Sequence, residues 1–349
     1  MKRLNELYNC PYNIEIKDVK INSKQVQPGD IFVCTMGVTA DRHDFIDEAI
    51  ENGASAIVVS KEVGKKPVPV IKVKNTNKEL FYIAGKLYDF PQKKLEMIGI
   101  TGTNGKTSVA EILYQLIGDK CAYLGTNGKK YKNYSEMIRN TTPDVDRLYK
   151  YFKEYLDHGC TSVVMEASSE AMYWHRLDDI AYDICILTNI TEDHLNIHKT
   201  LENYIECKSR LFGLVKKNGY SILNSGSKFL DTVLKYAKGN IVTYGFKPED
   251  DLYIKSYKEG KTLDITFIYK QNTYLVKSPL LGAFNILNVA AAILACLCRG
   301  MPIEEVIKKV ENLHQIEGRF EILDFNNDYT LILDYAHTTD AFQNILRYL

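Results

Sequence analysis

Residues 99–108 read GITGTNGKTS; the apolar run LEMIGI (95–100) leads into them and the helical pattern SVAEILYQLIG follows. A strand, a glycine-rich turn, a Lys-Thr pair and a helix start are the context of a phosphate-binding loop. Glycines let successive backbone N–H groups curl around phosphate oxygens, and the new helix adds the positive end of its dipole. In that reading Gly102, Thr103, Asn104, Gly105 and Ser108 surround the phosphates of ATP. Lys106 reaches the β- and γ-phosphates, and the Thr107 hydroxyl binds Mg²⁺. The usual spacing wants a glycine five residues before Gly105; Ile100 stands there, flanked by Gly99 and Gly102.

Further candidates stand where apolar runs end. SVVMEA (162–167) carries Glu166 and is followed by Ser168-Ser169, and DICILTNI (183–190) is followed by Thr191-Glu192-Asp193-His194. A helical stretch then carries Lys208 in ECKSRLF. Open α/β sheets bind ligands at the carboxyl ends of their strands. Glu166 and His194 are therefore candidate Mg²⁺-site ligands beside the γ-phosphate. Taken singly, each has a plainer account: a strand-end glutamate is usually solvated, and Lys208 alone reads as an exposed helix lysine. His194 and His198 are four apart, a spacing that zinc uses, but no third ligand accompanies them. The combination with the phosphate loop carries the reading.

These residues need a scaffold, and the hydropathy pattern describes one. Residues 1–92 contain short apolar runs, 30–35, 55–60 and 68–73, with helical spacing in HDFIDEAIENGA and again over 77–88. Residues 90–94 (FPQKK) read as a polar, proline-containing linker. From 93 to 316 apolar runs at 95–100, 162–167, 183–190 and 220–224 alternate with helical stretches at 107–117, 145–157, 203–215 and 286–299. That alternation predicts an α/β fold, a parallel sheet covered by helices on both faces. Over 317–349 GRFEILDF and YTLILDY predict a β-hairpin before a last helix. Some 33 residues are too few for a core of their own, so a third domain is expected to be incomplete here.

The bulk numbers are those of an ordinary globular protein. The 349 residues predict two or three domains. Lys+Arg and Asp+Glu are 44 each, so no global field draws a polyanion and no nucleic-acid partner is expected. No apolar run reaches 18 residues, and the basic N-terminus lacks the apolar stretch of a secretory signal. The eight cysteines show no CxxC pair and several lie in apolar runs, which predicts buried thiols in a reducing cytoplasm.

The chain resembles the Mur ligase family, in particular its MurE branch, the UDP-N-acetylmuramoyl-dipeptide:amino-acid ligases. The resemblance rests on GITGTNGKTS (99–108), NTTP (140–143), MEASSEAMYWHR (165–176), TNITEDHLNIH (188–198), CKSRLF (207–212), LGAFNILNVAAA (281–292), EGRFE (317–321) and DYAHTTD (334–340). QVQPGDIFVCTMG (25–37) is similar to the UDP-binding domain of that branch. The resemblance implies a small N-terminal UDP-binding domain (1–92), a central ATP-binding domain (93–316) and the start of a C-terminal domain (317–349). It implies a cytoplasmic monomer that joins an amino acid to UDP-N-acetylmuramoyl-L-Ala-D-Glu through an acyl phosphate. Lys208 then matches a carbamylated lysine, and Thr107, Glu166 and His194 match the other metal positions. Asn285 matches an adenine contact, Arg319 and Asp334 match nucleotide contacts, and Ser23, Thr141, Thr142, Ser168 and Arg176 match positions that hold the UDP-muramoyl-peptide. The chain departs from the pattern at Asn22-Ser23-Lys24 (usually Asp-Ser-Arg), at Glu170 (usually His) and at Thr339 (usually Pro). The amino-acid selectivity motif is not among these residues. Two alternatives are a folylpolyglutamate-synthase-like ligase, disfavoured by the some 90 residues before the phosphate loop, and a nucleotide- and UDP-substrate-binding module without catalysis.

Overall fold

The computed structural model describes residues 2–36, 40–191, 195–323, 329–337 and 339–348. The chain forms two compact units, residues 1–94 with 144–157, and residues 95–143 with 158–349.

In the first unit Val19–Lys20, Ile31–Val33, Ala56–Val59 and Val70–Lys72 form a four-stranded parallel sheet in that order. Phe32, Cys34, Ile57 and Val59 pack against Ile46 and Ala49 of the helix Ile46–Glu51. Helical spacing over HDFIDEAIENGA becomes a 3₁₀ turn, Arg42–Phe45, running into that helix. The helix Thr76–Leu87 starts where the Asn75 side chain accepts from the Lys78 N–H. The helix Val145–Asp157 also belongs here: Gln92 Nε2 donates to Tyr149 OH at 3.1 Å. The expected linker is no extended tether, because Pro91–Lys93 is a 3₁₀ turn with Pro91 and Gln92 buried.

The second unit is built on an eleven-stranded sheet. Glu96–Thr101 lies at its centre, paired in parallel with Ser162–Glu166 on one side and Tyr182–Leu187 on the other. Cys121–Gly125, Val215–Asn224 and Asn240–Gly245 extend the parallel region. The chain moves outward on one side of the central strand and returns to its other side, which opens a crevice at the carboxyl ends of these strands. Helix Lys106–Ile117 and helix Phe284–Cys298 bury Ile98, Ile100, Val164 and Ile186 together with their own apolar faces. The edges differ from the expected all-parallel pattern. Leu252–Glu259, Leu263–Tyr269 and Asn272–Ser278 form an antiparallel meander at one edge, and Gly128–Tyr131 and Tyr134–Glu136 run antiparallel at the other. The expected helix over 203–215 ends at Arg210, and a 3₁₀ turn, Leu211–Leu214, leads into the next strand. Glu321–Leu323 and Leu331–Leu333 pair as the expected hairpin. Among the described residues no helix is long and apolar enough to cross a membrane. All eight cysteines are free thiols, six of them buried.

Candidate active site

The loop after Glu96–Thr101 meets the loop after Tyr182–Leu187 and is held there by hydrogen bonds. Asn189 O accepts from Thr103 N at 2.8 Å and Asn189 Oδ1 from Asn104 N at 3.0 Å. Thr188 Oγ1 donates to Asn104 O at 2.6 Å, and Thr103 Oγ1 donates to Thr191 O at 3.0 Å. Gly105 stands before the helix start with φ +85°, and a Cβ there would lie 2.5 Å from Asn288 Oδ1. Only glycine meets both demands. Lys106 begins the helix, and its ammonium donates to Gly102 O at 3.0 Å and Thr103 O at 2.9 Å, bending back over the loop.

Glu166, fully buried at the end of its strand, gathers donors. Its Oε1 accepts from Tyr123 OH at 2.9 Å and Thr126 N at 2.8 Å, and its Oε2 from Thr107 Oγ1 at 3.1 Å and Thr126 Oγ1 at 3.2 Å. Burial, then the charge of Glu166, holds the Tyr123 phenol well above its ordinary range, so it acts as a donor. Arg319 Nη2 donates to Thr107 Oγ1 at 2.9 Å, and its guanidinium lies 5.0 Å from the Tyr335 ring centre. Lys208 is 1% exposed, donates to Gly102 O at 2.7 Å and lies 4.6 Å from the centre of the Tyr204 ring.

Two cavities open over this loop. One, of about 320 Å³, is lined by the phosphate loop, Glu166, Lys208, Arg319 and the segment 139–142 with Ser168, Glu170 and Arg176. Lys106, Arg139, Arg176, Lys208 and Arg319 outnumber Glu166 and Glu170 in its wall, so it suits an anionic ligand. The other, of about 250 Å³, joins Tyr244, Phe284, Leu287 and Tyr335 to the amides of Asn104, Asn189 and Asn288. Aromatic faces with a few amide groups suit a flat heteroaromatic base. Asn104, Gly105, Arg319, Tyr335 and His337 line both.

Residues 100–296 match the Mur ligase middle domain, and residues 15–90 match the Mur ligase family catalytic domain. The UDP-N-acetylmuramoyl-L-alanyl-D-glutamate–2,6-diaminopimelate ligase of Bacillus cereus is 36% identical over 347 residues, covering 96% of this chain and 70% of that protein. The chain belongs to the Mur ligase family. The corresponding L-lysine ligase of Staphylococcus aureus is 37% identical over 344 residues, covering 95% of this chain and 69% of that protein. A solved structure of a 2,6-diaminopimelate ligase of the same kind superposes with a TM-score of 0.82 at 26% identity, over 100% of this chain and 74% of that one. Mur ligases form C–N bonds at the expense of ATP, with Mg²⁺, and this chain is a ligase of that family.

Most of the residues that the sequence nominates meet around one Mur-ligase cavity, and some do not. Thr103, Asn104, Gly105, Lys106, Thr107, Thr141, Thr142, Glu166, Ser168, Arg176, Lys208 and Arg319 all line the larger cavity. Thr142 Oγ1 donates to Glu166 O at 2.7 Å, and Arg176 Nη1 donates to Thr142 O at 3.2 Å. Ser168 caps the short helix Ser169–Tyr173 by accepting from Ala171 N. Ser108 and Asp334 line the smaller cavity, where Asp334 accepts from Phe320 N and Ala336 N and so shapes its loop. Gly102 lies behind the loop, supplying its carbonyl to both lysines. Asn285 lines neither cavity. Its amide donates to Leu281 O at 2.8 Å and its Oδ1 accepts from Asn288, which itself faces the smaller cavity. Ser23, in the other unit, is buried and donates to Glu48 at 2.5 Å. His194 lies outside the described residues. His198 is buried, with Nε2 3.0 Å from Ser169 Oγ.

Among the described residues no group of three or more His, Cys, Asp or Glu side chains clusters as a metal site. Thr107 Oγ1 and a Glu166 carboxylate oxygen are a sparse, all-oxygen pair. Such a pair fits Mg²⁺, which takes one or two protein oxygens and completes its shell with water and phosphate. Sequence reasoning passed over Tyr123 and Thr126, which hold Glu166, and Phe284, Asn288, Arg139, Tyr335 and His337, which line the cavities. Tyr335 and His337 stand inside the recognised DYAHTTD, so their place in that motif was the available signal.

Proposed function

We propose that the chain adds a diamino acid to UDP-N-acetylmuramoyl-L-Ala-D-Glu, in the cytoplasmic synthesis of peptidoglycan precursors. The observation that carries this reading is one cavity lined both by a phosphate loop and by Thr141, Thr142, Ser168 and Arg176. The phosphoryl donor and the carboxylate it activates need that proximity. The relatives named above support the muramoyl substrate over a folate, and their split between 2,6-diaminopimelate and L-lysine supports a diamino acid as the second substrate. A carboxylate oxygen of the peptide attacks the γ-phosphorus, and ADP leaves. The amine then attacks the acyl carbon, a proton is lost, and phosphate departs. Lys106 and the loop N–H groups balance charge on the phosphoryl oxygens. Arg176 holds an anionic part of the peptide substrate. Mg²⁺ on Thr107 and Glu166 supplies charge neutralisation at the phosphates. The division 1–92, 93–316 and 317–349 then corresponds to the UDP-substrate domain, the ATP-binding domain and part of the C-terminal ligase domain, with Ser23 in the first.

Lys208 carries the finer part of the proposal, as a carbamate formed with CO₂ and loss of a proton. Its Nζ is buried against the phosphate loop. Two like unit charges at 4 Å repel by about 4 kcal/mol at an effective dielectric of about 20, and a divalent ion doubles the conflict. A carbamate reverses the sign.

Isothermal titration with Mg·ADP, UDP-N-acetylmuramoyl-L-Ala-D-Glu and a folyl-glutamate tests the reading. Binding of the first two is expected. Binding of the folate with no response to the UDP compound overturns the substrate, and no response to nucleotide overturns the site.

A further inference from the structure

Thr126 and Asn127 form the two-residue turn between Cys121–Gly125 and Gly128–Tyr131, closed by the pairing of Gly125 with Gly128. The two residues face different partners. Thr126 gives its N–H and hydroxyl to Glu166. Asn127 Nδ2 carries two hydrogens and has two acceptors, Glu111 Oε1 at 3.1 Å and Glu317 O at 3.2 Å. Glu111 is itself anchored by Lys130 Nζ at 2.6 Å, and Asn127 N donates to Tyr123 OH at 3.2 Å. Glu317 lies in a tight turn in which Ile316 bridges to Arg319 and Gly318 takes φ +65°. Arg319 returns to Thr107, and Thr107 to Glu166. The hydrogen bonds therefore close a ring: Glu166, Tyr123, Asn127, the 317–319 turn, Arg319, Thr107 and back to Glu166.

We propose that Asn127 is a positioning residue for nucleotide binding: it fixes the 317–319 turn so that Arg319 is presented to both cavities and to the Thr107–Glu166 pair. The proposal rests on the reading of those cavities as a nucleotide site. The turn carries its own Ile316–Arg319 bridge, the Gly318 N–H bond to Glu321 and a bond from Tyr335 N to Gly318 O at 3.0 Å, all within the last forty residues of the chain. Beside the Arg319–Thr107 bond, the Asn127 amide ties the turn's backbone to the hairpin next to Glu166, and Glu111 with Lys130 orients that amide.

The test is Mg·ADP titration of the chain and its variants, with thermal melts alongside. Asn127→Ala removes one neutral hydrogen bond to the turn and is expected to weaken Mg·ADP about fivefold. Asn127→Asp sets a carboxylate against the Glu111 carboxylate and the Glu317 carbonyl, and is expected to weaken it more than Ala does. Asn127→Ser, too short to span both acceptors, guards against a folding defect peculiar to one variant. In an Arg319→Ala background the Asn127→Ala change is expected to add less than about twofold, because its effect passes through Arg319. A merely structural turn residue lowers the melting temperature without this dependence on Arg319. Affinity within twofold of wild type for Ala and Ser, or a full additional loss in the Arg319→Ala background, overturns the proposal. Absence of Mg·ADP binding by the wild-type chain overturns the nucleotide reading, and this proposal with it.

Discussion

Replacing Glu166 by Gln and by Ala separates its two jobs, holding the fold and holding the metal. Oε1 accepts from Thr126 N, which cannot turn, and from Tyr123 OH. Oε2 accepts from two hydroxyls, Thr107 and Thr126, which can. A glutamine with its oxygen at the Oε1 place keeps the first two bonds. Its NH₂ then meets two hydroxyls able to rotate and accept, although Thr107 already accepts from Arg319. What is lost is charge assistance, about 1 kcal/mol per bond, partly offset because no buried carboxylate need be desolvated. The expected net change for Glu166→Gln is within about 2 kcal/mol. Alanine leaves four donors without that acceptor; at about 1–3 kcal/mol each, with the hydroxyls free to find other partners, the expected loss is about 3–5 kcal/mol. Denaturant unfolding measures both. Mg·ADP titration measures the metal: Glu166→Gln is expected to lose at least about tenfold in the Mg²⁺-dependent part of affinity while metal-free binding changes little. Glutamine as destabilising as alanine refutes the hydrogen-bond argument. An unchanged Mg²⁺ response in Glu166→Gln refutes its place as a metal ligand.

Two other predictions concern Lys208 and Asp146. Protein equilibrated with ¹³C-bicarbonate is expected to show a carbamate carbon resonance that Lys208→Ala lacks, and a short carboxylic acid in the buffer is expected to restore part of the ligase rate lost in that variant; full activity of Lys208→Ala without the acid removes the residue from the mechanism. Asp146 is buried with Oδ1 lacking a hydrogen-bond partner, and burial, reinforced by Asp144, pushes its carboxyl up from 3.8 to about 6. The folded state therefore holds this proton more tightly than the unfolded chain, and its stabilising share is lost as pH rises from about 4 through about 6. Asp146→Asn is expected to gain up to about 3 kcal/mol over wild type by pH 7.5 and little at pH 4, measured by urea unfolding; a gap that does not change with pH contradicts it.

The local segments of this chain were legible because their signals are local. The phosphate loop is a strand, a glycine turn and a helix start in fourteen consecutive residues, and Gly105 could be read before its φ was known. The central strands are long apolar runs because both faces are covered, and such runs survive in a bare sequence. The meander over 252–278 was not read. Its strands lack a long apolar run and alternate buried with half-buried residues, as in LDITFIY, a weaker signal than the central strands give.

The sequence by itself determined which chemical groups are present: the Lys-Thr pair at a helix start, Glu166 at a strand end, Lys208, and Arg319 far along the chain. Only the tertiary structure decided who meets whom. Thr107 and Arg319 are 212 residues apart and share a 2.9 Å hydrogen bond; Lys208 and Gly102 are 106 apart and share one of 2.7 Å. Asn288 rather than Asn285 faces the smaller cavity, because one turn of the same helix is enough to exchange a cavity for a backbone carbonyl. Tyr123 and Thr126 lie in a short hairpin with no marked composition, yet they supply three of the four bonds to Glu166. Such contacts depend on strand order and register, and residues distant in the chain carry no mark in their own neighbourhood of the partner that the sheet brings to them.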